Sequence, residues 1–306
     1  MMRTPVLLVL VWATSAWAPQ QAPPAIQNAR IEARSGAAFA RDVAALVTGA
    51  SEPVWIGWRV PALDGTSNSC CISSYDDGFG TRIIDRGCQI EPAVTPPGGV
   101  AAPRPAYQAP AGPVKLEAGT GLVVLVRAIA KHVERVRTLS DDCPMDAGGR
   151  AVFWFDAVAG DASVKYLRTL MDQPDGTTDM RRRLGDSALS AIGRHRDGAA
   201  EDLLISLAHA PNEAHIRGLA VSSLGQRADK RALSELTAAI ANDPDADVRR
   251  LAVVGIAKMP KDDAVPALIQ LARLSRDLAV RKEAMTWLGQ SKDPRALAYF
   301  EEIVKK

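Results

Sequence analysis

Apolar residues in the second half of the chain recur at helical spacing and then repeat as a block. Segments beginning at Leu184, Ile216, Val248 and Val280 start 32 residues apart. Four residues on, each has an alanine: Ala188, Ala220, Ala252 and Ala284. Four further lie Ile192, Leu224, Ile256 and Leu288, each followed by a small residue: Gly193, Gly225, Ala257 and Gly289. An i, i+4, i+8 apolar row is one face of a helix. A second row follows at Ala200, Ala232, Ala264 and Ala296, with Leu204, Leu236, Leu268 and Phe300 four residues later. The pattern predicts one helical hairpin per repeat. The glycine is expected to end the first helix at a C-cap, where positive φ is cheap. Asp229, Asp262, Asp263 and Asp293 are placed to cap the second helices. No such hairpin buries enough apolar surface alone, so the units must stack. The expected fold is mainly α, an α-solenoid of helical hairpins over residues 150–306, with Phe153–Met171 as a degenerate first unit.

The first half has another texture. Residues 37–47 have helical spacing, with Phe39, Val43 and Leu46 on one side. Pro53 to Val60 and Arg82 to Ile90 look like strands, separated by turn chemistry from Asp64 to Gly80. Pro92 to Pro113 holds seven of the twenty prolines and reads as an extended loop. Val114–Glu117, Leu122–Ile129 and His132–Leu139 then suggest a β-meander, although Leu122 to Val126 is continuously apolar. Residues 31–147 are therefore expected to form a small α+β or β-rich module.

The chain opens with Arg3, an apolar run from Val6 to Ala13, and Ala16-Trp17-Ala18. These are the charged, apolar and A-x-A parts of a secretory signal peptide over 1–18. The run is far shorter than the roughly 20 residues of a transmembrane helix, so no integral span is expected after cleavage. Residues 19–30, rich in Pro, Gln and Ala, read as a flexible leader. Export favours disulfides for Cys70, Cys71, Cys88 and Cys143. Three connectivities are open. The favoured one is two bridges, with the adjacent pair reaching Cys88 and Cys143 separately. The other use of Cys70-Cys71 is a labile bond between neighbours with a thiol-redox role. Zinc needs closely spaced ligand pairs, and none occurs.

Ile216-Arg217-Gly218-Leu219-Ala220 through Leu224-Gly225, Asp247-Val248-Arg249 and Ala279-Val280-Arg281-Lys282-Glu283-Ala284 share a V-R-x-x-A-like signature. It resembles the short HEAT repeats known as PBS-lyase HEAT-like repeats, strongly over 184–306. The first half resembles the leader module of bacterial exported HEAT-repeat proteins, on VWIGWRVP, the paired cysteines, and Val133-Glu134-Arg135-Val136-Arg137 leading to Asp142-Cys143. The resemblance implies a fold and says little of activity. The family name alone suggests a lyase-like or chaperone role. HEAT-repeat hydroxylases hold iron with His-Glu pairs, and no His-Glu dipeptide occurs here.

Charge adds little: 37 basic against 35 acidic residues give +2, which argues against a nucleic-acid partner. Aromatics are only 5%, so Ala, Leu, Val and Ile must build the core. Gly185-Asp186-Ser187 resembles the start of one serine hydrolase class, but that serine falls inside a repeat helix. Asp76-Asp77-Gly78 and Asp141-Asp142 with Asp146 lack calcium-loop spacing. His132, His195, His209 and His215 form no metal pair and are expected on surfaces. Trp55 and Trp58 are expected in the core of the first module. Arg217, Arg249 and Arg281 share a repeat column, expected to ladder onto acceptors such as Asp245 or Asp247. Arg181, Arg182, Arg183, Arg194 and Arg196 form the candidate anion-binding cluster. No catalytic residue, metal or cofactor is expected. The expected function is a non-catalytic protein–protein interaction scaffold, periplasmic or secreted, in the bacterial envelope.

Overall fold

The computed structural model describes residues 23–65, 70, 72–76, 81–85, 88–91, 120–173, 176–211 and 213–305. The segment 1–18 expected as a signal peptide, the start of the leader, Cys71, Asp77-Gly78, the whole Pro-rich stretch 92–113 and the strand expected at 114–117 lie outside them.

The first half contains β1 (Ile26–Gln27), β2 (Arg30–Ser35), α1 (Phe39–Gly49), β3 (Val54–Pro61), β4 (Ile72–Asp76), β5 (Thr81–Asp85), β6 (Cys88–Gln89), β7 (Gly121–Ile129), β8 (His132–Ser140), β9 (Met145–Asp146) and β10 (Ala151–Asp156). Five strands form a mixed sheet in the order β2-β10-β3-β7-β8. β10 runs parallel to both β2 and β3, and β7 is antiparallel to β3 and β8. Two expectations are corrected here. Residues 151–156, assigned to the helical half, are an inner strand of this sheet. VFWF is aromatic and β-branched, and its side chains reach both faces. Residues 72–76, expected as turn, pair with β5.

The continuous apolar run of β7 has its cause in this topology. Leu122, Val124 and Val126 face the helices, while Val123 and Leu125 face the opposite side, and all five are fully buried. A strand covered on both faces loses its polar alternation. Trp55 and Trp58, expected in the core, lie on opposite faces of β3 and are likewise fully buried. The far face is closed by the small sheet β1-β9-β6. Cys70 is bonded to Cys143, and Cys88 is also disulfide-bonded. The neighbour-to-neighbour bond of the redox reading is therefore not formed, because Cys70 is committed to a strand-flanking partner.

The second half is helical: α2 (Gly160–Met171), α3 (Thr178–Gly193), α4 (Gly198–Ala208), α5 (Ala214–Leu224), α6 (Lys230–Asn242), α7 (Ala246–Ala257), α8 (Lys261–Leu274), α9 (Leu278–Gln290) and α10 (Pro294–Val304). None of the described helices is long and apolar enough to cross a membrane. α3, α5, α7 and α9 pack in a row, each on the next, whereas α4, α6 and α8 touch one another far less. The predicted alanine columns are buried throughout, as are Ile192, Leu224, Ile256 and Leu288. In the last repeat Tyr299 takes the buried place expected of Phe300.

Gly225 is the C-cap of α5 as expected, but the column does not use positive φ. Gly193, Gly225 and Gly289 have no positive φ. At two of them the value is closeness: a Cβ on Gly225 would run into the backbone of Gly255, and one on Gly193 would sit 2.8 Å from Ser223 Oγ, whereas one on Gly289 would meet nothing within 4 Å. Gly225→Ala is expected to cost about 1–3 kcal/mol, the range for overpacking a close contact. Urea denaturation measures it, and an unchanged midpoint would show that α5 and α7 separate freely. The capping expectation is met at Asp229 and Asp293, which accept from Ala232 N and Arg295 N. At α8 the N-cap is Pro260, and Asp262 and Asp263 fall in the first turn, where the helix dipole still favours them.

One apolar core runs from Phe39 in the β-rich module to Tyr299 in α10. The joint is an aromatic cluster. Phe39 stacks edge-on against Trp58 at 4.9 Å and Phe155 at 5.4 Å, and Tyr166 of α2 joins at 5.6 Å from Phe39.

Candidate functional site

The joint between sheet and helices holds a buried polar relay. Trp58 Nε1 donates to Ser163 Oγ at 2.7 Å, and Ser163 Oγ lies 2.8 Å from His195 Nε2. His195 Nδ1 lies 2.8 Å from the Ala191 carbonyl. A carbonyl only accepts, so Nδ1 carries the proton and Nε2 accepts from the serine hydroxyl. Every group is satisfied by a neutral imidazole. Ser163 and His195 are both fully buried. A serine–histidine contact of this kind is the start of nucleophilic chemistry, but no substrate reaches this one, and its work is to hold β3, α2 and α3 together. The surface position expected for His195 is thus corrected: the turn after Gly193 folds back onto the sheet. Leu63 N donates to Arg194 O and Arg196 N to Pro61 O. Arg227 clamps the same turn through His195 O at 3.0 Å and Asp197 O at 2.9 Å.

Burial pushes the His195 imidazole from 6.5 down to about 4. The bond to Ala191 O and the charge of Asp197 oppose this shift, and Arg227 adds to it. The unfolded chain therefore binds the proton more readily than the folded one. Stability is complete above pH 6.5 and falls between 6.5 and about 4, by about 3 kcal/mol in total. Denaturation at pH 7 and pH 4.5 checks this. His195→Gln is expected to flatten the slope above pH 5, and an unaltered slope would assign the acid lability to carboxylates.

The opposite face of the sheet carries a second cluster that sequence reasoning missed. Glu91 is only 4% exposed. It accepts from Arg127 Nε at 3.0 Å and Nη2 at 2.8 Å, from Trp55 Nε1 at 2.9 Å, and from Arg150 Nε at 3.3 Å. Arg127 also pairs with Glu134. Burial alone would raise the Glu91 carboxyl, but the bonds from Arg127 and Trp55 and the charges of Arg127 and Arg150 outweigh it and hold it below the usual range. Arg127 sits in an otherwise apolar strand, and that interruption was the signal available. Its partner is 36 residues away in sequence.

The five arginines of the candidate cluster are not brought together. Arg181, Arg182 and Arg183 lie in the first turns of α3, and Arg194 and Arg196 beyond its far end, about 18 Å away at helical rise. Arg194 donates to Thr138 Oγ1, and Arg196 to Ala62 O and the Asp64 carboxylate. These two staple the joint. Arg182 contacts His215 Nδ1 at 3.2 Å, and His215 Nε2 meets Asp186 at 2.7 Å. Ser187 bonds to the Arg183 carbonyl within the helix, consistent with a non-catalytic place. Cys70, Asp142 and Cys143 are close enough for a metal, but the two cysteines are joined to each other.

Two of the three arginines of the column, Arg217 and Arg249, form rungs of a ladder, with different acceptors from those expected, and Arg281 makes no ion pair among the described residues. Arg217 makes a bidentate pair with Asp243 at 2.7 and 3.0 Å, and Arg249 pairs with Asp277 at 2.9 Å. Asp245 is occupied as the N-cap of α7, accepting from Asp247 N and Val248 N. Each arginine floors a groove. The first lies between α4 and α6 and encloses about 270 Å³, and the second lies between α6 and α8 and encloses about 490 Å³. Their linings correspond at the repeat period: Ala208 with Ile240, Arg217 with Arg249, Glu235 with Ala267, Ala239 with Leu271, and Pro244 with Arg276. Both lie along the loose row of helices, α4, α6 and α8.

No curated protein matches this chain. Residues 177–257 and 233–306 match the family model described as HEAT repeats. The matches cover α3 to α10, the helices that carry the ladder and both grooves, and they support a HEAT-repeat protein.

Proposed function

We propose that the chain is a non-catalytic binding scaffold: an α-solenoid of HEAT-like hairpins, closed at one end by the β-rich module and acting in the bacterial envelope or outside the cell. HEAT repeats generally mediate protein–protein interaction. The observation that carries the proposal is the single core from Phe39 to Tyr299. A surface built on one continuous core is pre-organised, so a partner meets it without a large ordering cost. Such arrays vary their exposed residues while keeping their core columns. The Cys70–Cys143 bond and the bonded Cys88 support an oxidising compartment, and the A-x-A segment at 16–18 supports export. Crosslinking and purification of the processed chain from an exported fraction test this. The expected result is one defined protein partner in a fixed ratio. Recovery of none, together with turnover of a small molecule, would overturn it.

A further inference from the structure

The two grooves differ in what they leave unsatisfied. In the first, Arg217 is closed by Asp243 and His209 meets Glu235 at 2.9 Å. Its walls include Ala208, Ala210, Ala238 and Ala239, so it is shallowly apolar and electrically closed. In the second, Arg249 is closed by Asp277, and Asp243 is already taken by Arg217. Arg276 has no ion-pair partner among the described residues. The apolar walls are larger there, with Ile240, Leu271 and Leu274, and Leu274 is 71% exposed. Leu278, one helix start away, is 69% exposed. A large apolar wall beside one unneutralised cation calls for an apolar side chain followed by a carboxylate.

The spacing sets the form of the occupant. Packed helix axes lie about 8–10 Å apart, the splayed α4, α6 and α8 lie farther from one another, and an extended chain advances about 3.3 Å per residue while its side chains alternate between two faces. Side chains about four residues apart lie on one face of an extended segment, about 13 Å from each other, and so reach successive grooves across α6. The geometry points to an extended, acidic segment of a partner protein as the occupant: a small apolar side chain in the first groove, a large one about four residues away in the second, and a carboxylate beside the latter on Arg276. The proposal rests on the protein-binding function given above and adds where and what it binds.

The test is selection from a random peptide display library on the full chain, with binding of the enriched peptides measured by fluorescence anisotropy. Enriched peptides are expected to share the spaced apolar pair with an acidic flank. Asn242 and Gln270 are exposed residues lining the first and second groove respectively, so Asn242→Trp and Gln270→Trp fill the grooves without entering the core. Each is expected to weaken binding about tenfold or more. Arg276→Glu is expected to turn the selected flank from acidic to basic. Circular dichroism and urea midpoints equal to those of the unaltered chain show that the variants fold. Enriched peptides that ignore all three substitutions would overturn the groove site and leave the protein-binding function standing. A selection that enriches nothing would overturn the extended-segment occupant, and the partner purification separately decides the broader function.

Discussion

Arg127→Ala is expected to lower the free energy of unfolding by about 3–5 kcal/mol, the cost of stranding a buried charge whose partner is removed. Glu91 would keep the Trp55 indole and the longer Arg150 contact but lose the bidentate guanidinium, for a carboxylate that is 4% exposed. The loss should shrink as pH falls. Without Arg127, burial would dominate the Glu91 carboxyl and raise it, so mild acid would neutralise the stranded group. Replacing both members, as Glu91→Gln with Arg127→Met, is expected to recover much of the loss, because a buried pair contributes little over a well-packed neutral pair. Urea denaturation of the three variants at pH 7 and pH 5 checks both statements. A loss below about 1 kcal/mol for Arg127→Ala would mean that water reaches Glu91 in the folded protein.

Leu224→Ala is the second large effect, at about 2–5 kcal/mol. Leu224 is fully buried and belongs to the column Ile192, Leu224, Ile256 and Leu288. It lies where α5 meets its neighbours in the close row, and the glycine contacts leave the helices little room to collapse into a cavity. Leu297→Ala, at a position 62% exposed, should change stability by no more than about 0.5 kcal/mol. Equal losses at the two positions would show that the column does not mark the core.

The repeat was legible because it is written many times in one chain. Each alanine column is confirmed by three further copies, and local period alone places it on a helix face. The helix over 39–49 and the strands 54–61, 121–129 and 132–140 were legible from short patterns for the same reason. β10 was not. Its pairing with β2 and β3 joins residues about a hundred positions apart, and VFWF adjoins a helical stretch closely enough to read as part of it. His195 was misplaced because nothing in Arg194-His195-Arg196 marks burial: two flanking arginines read as solvent, whereas their side chains reach back to the sheet. The glycines were found by position and their close approach was missed, since a backbone approach between α5 and α7 is not a property of either helix.

The sequence by itself determined the helical repeat, its 32-residue period, its core columns and the caps Asp229 and Asp293, because these follow from periodicity and from side chains acting on their own backbone. Only the tertiary structure decided that the β-rich half shares its core with the repeats, that Ser163 and His195 are sealed, that Glu91 meets Arg127, and that the Arg217 and Arg249 grooves lie along α4, α6 and α8. Each of these depends on distances between residues remote in the chain, set by how closely two surfaces approach, and no local pattern carries that information.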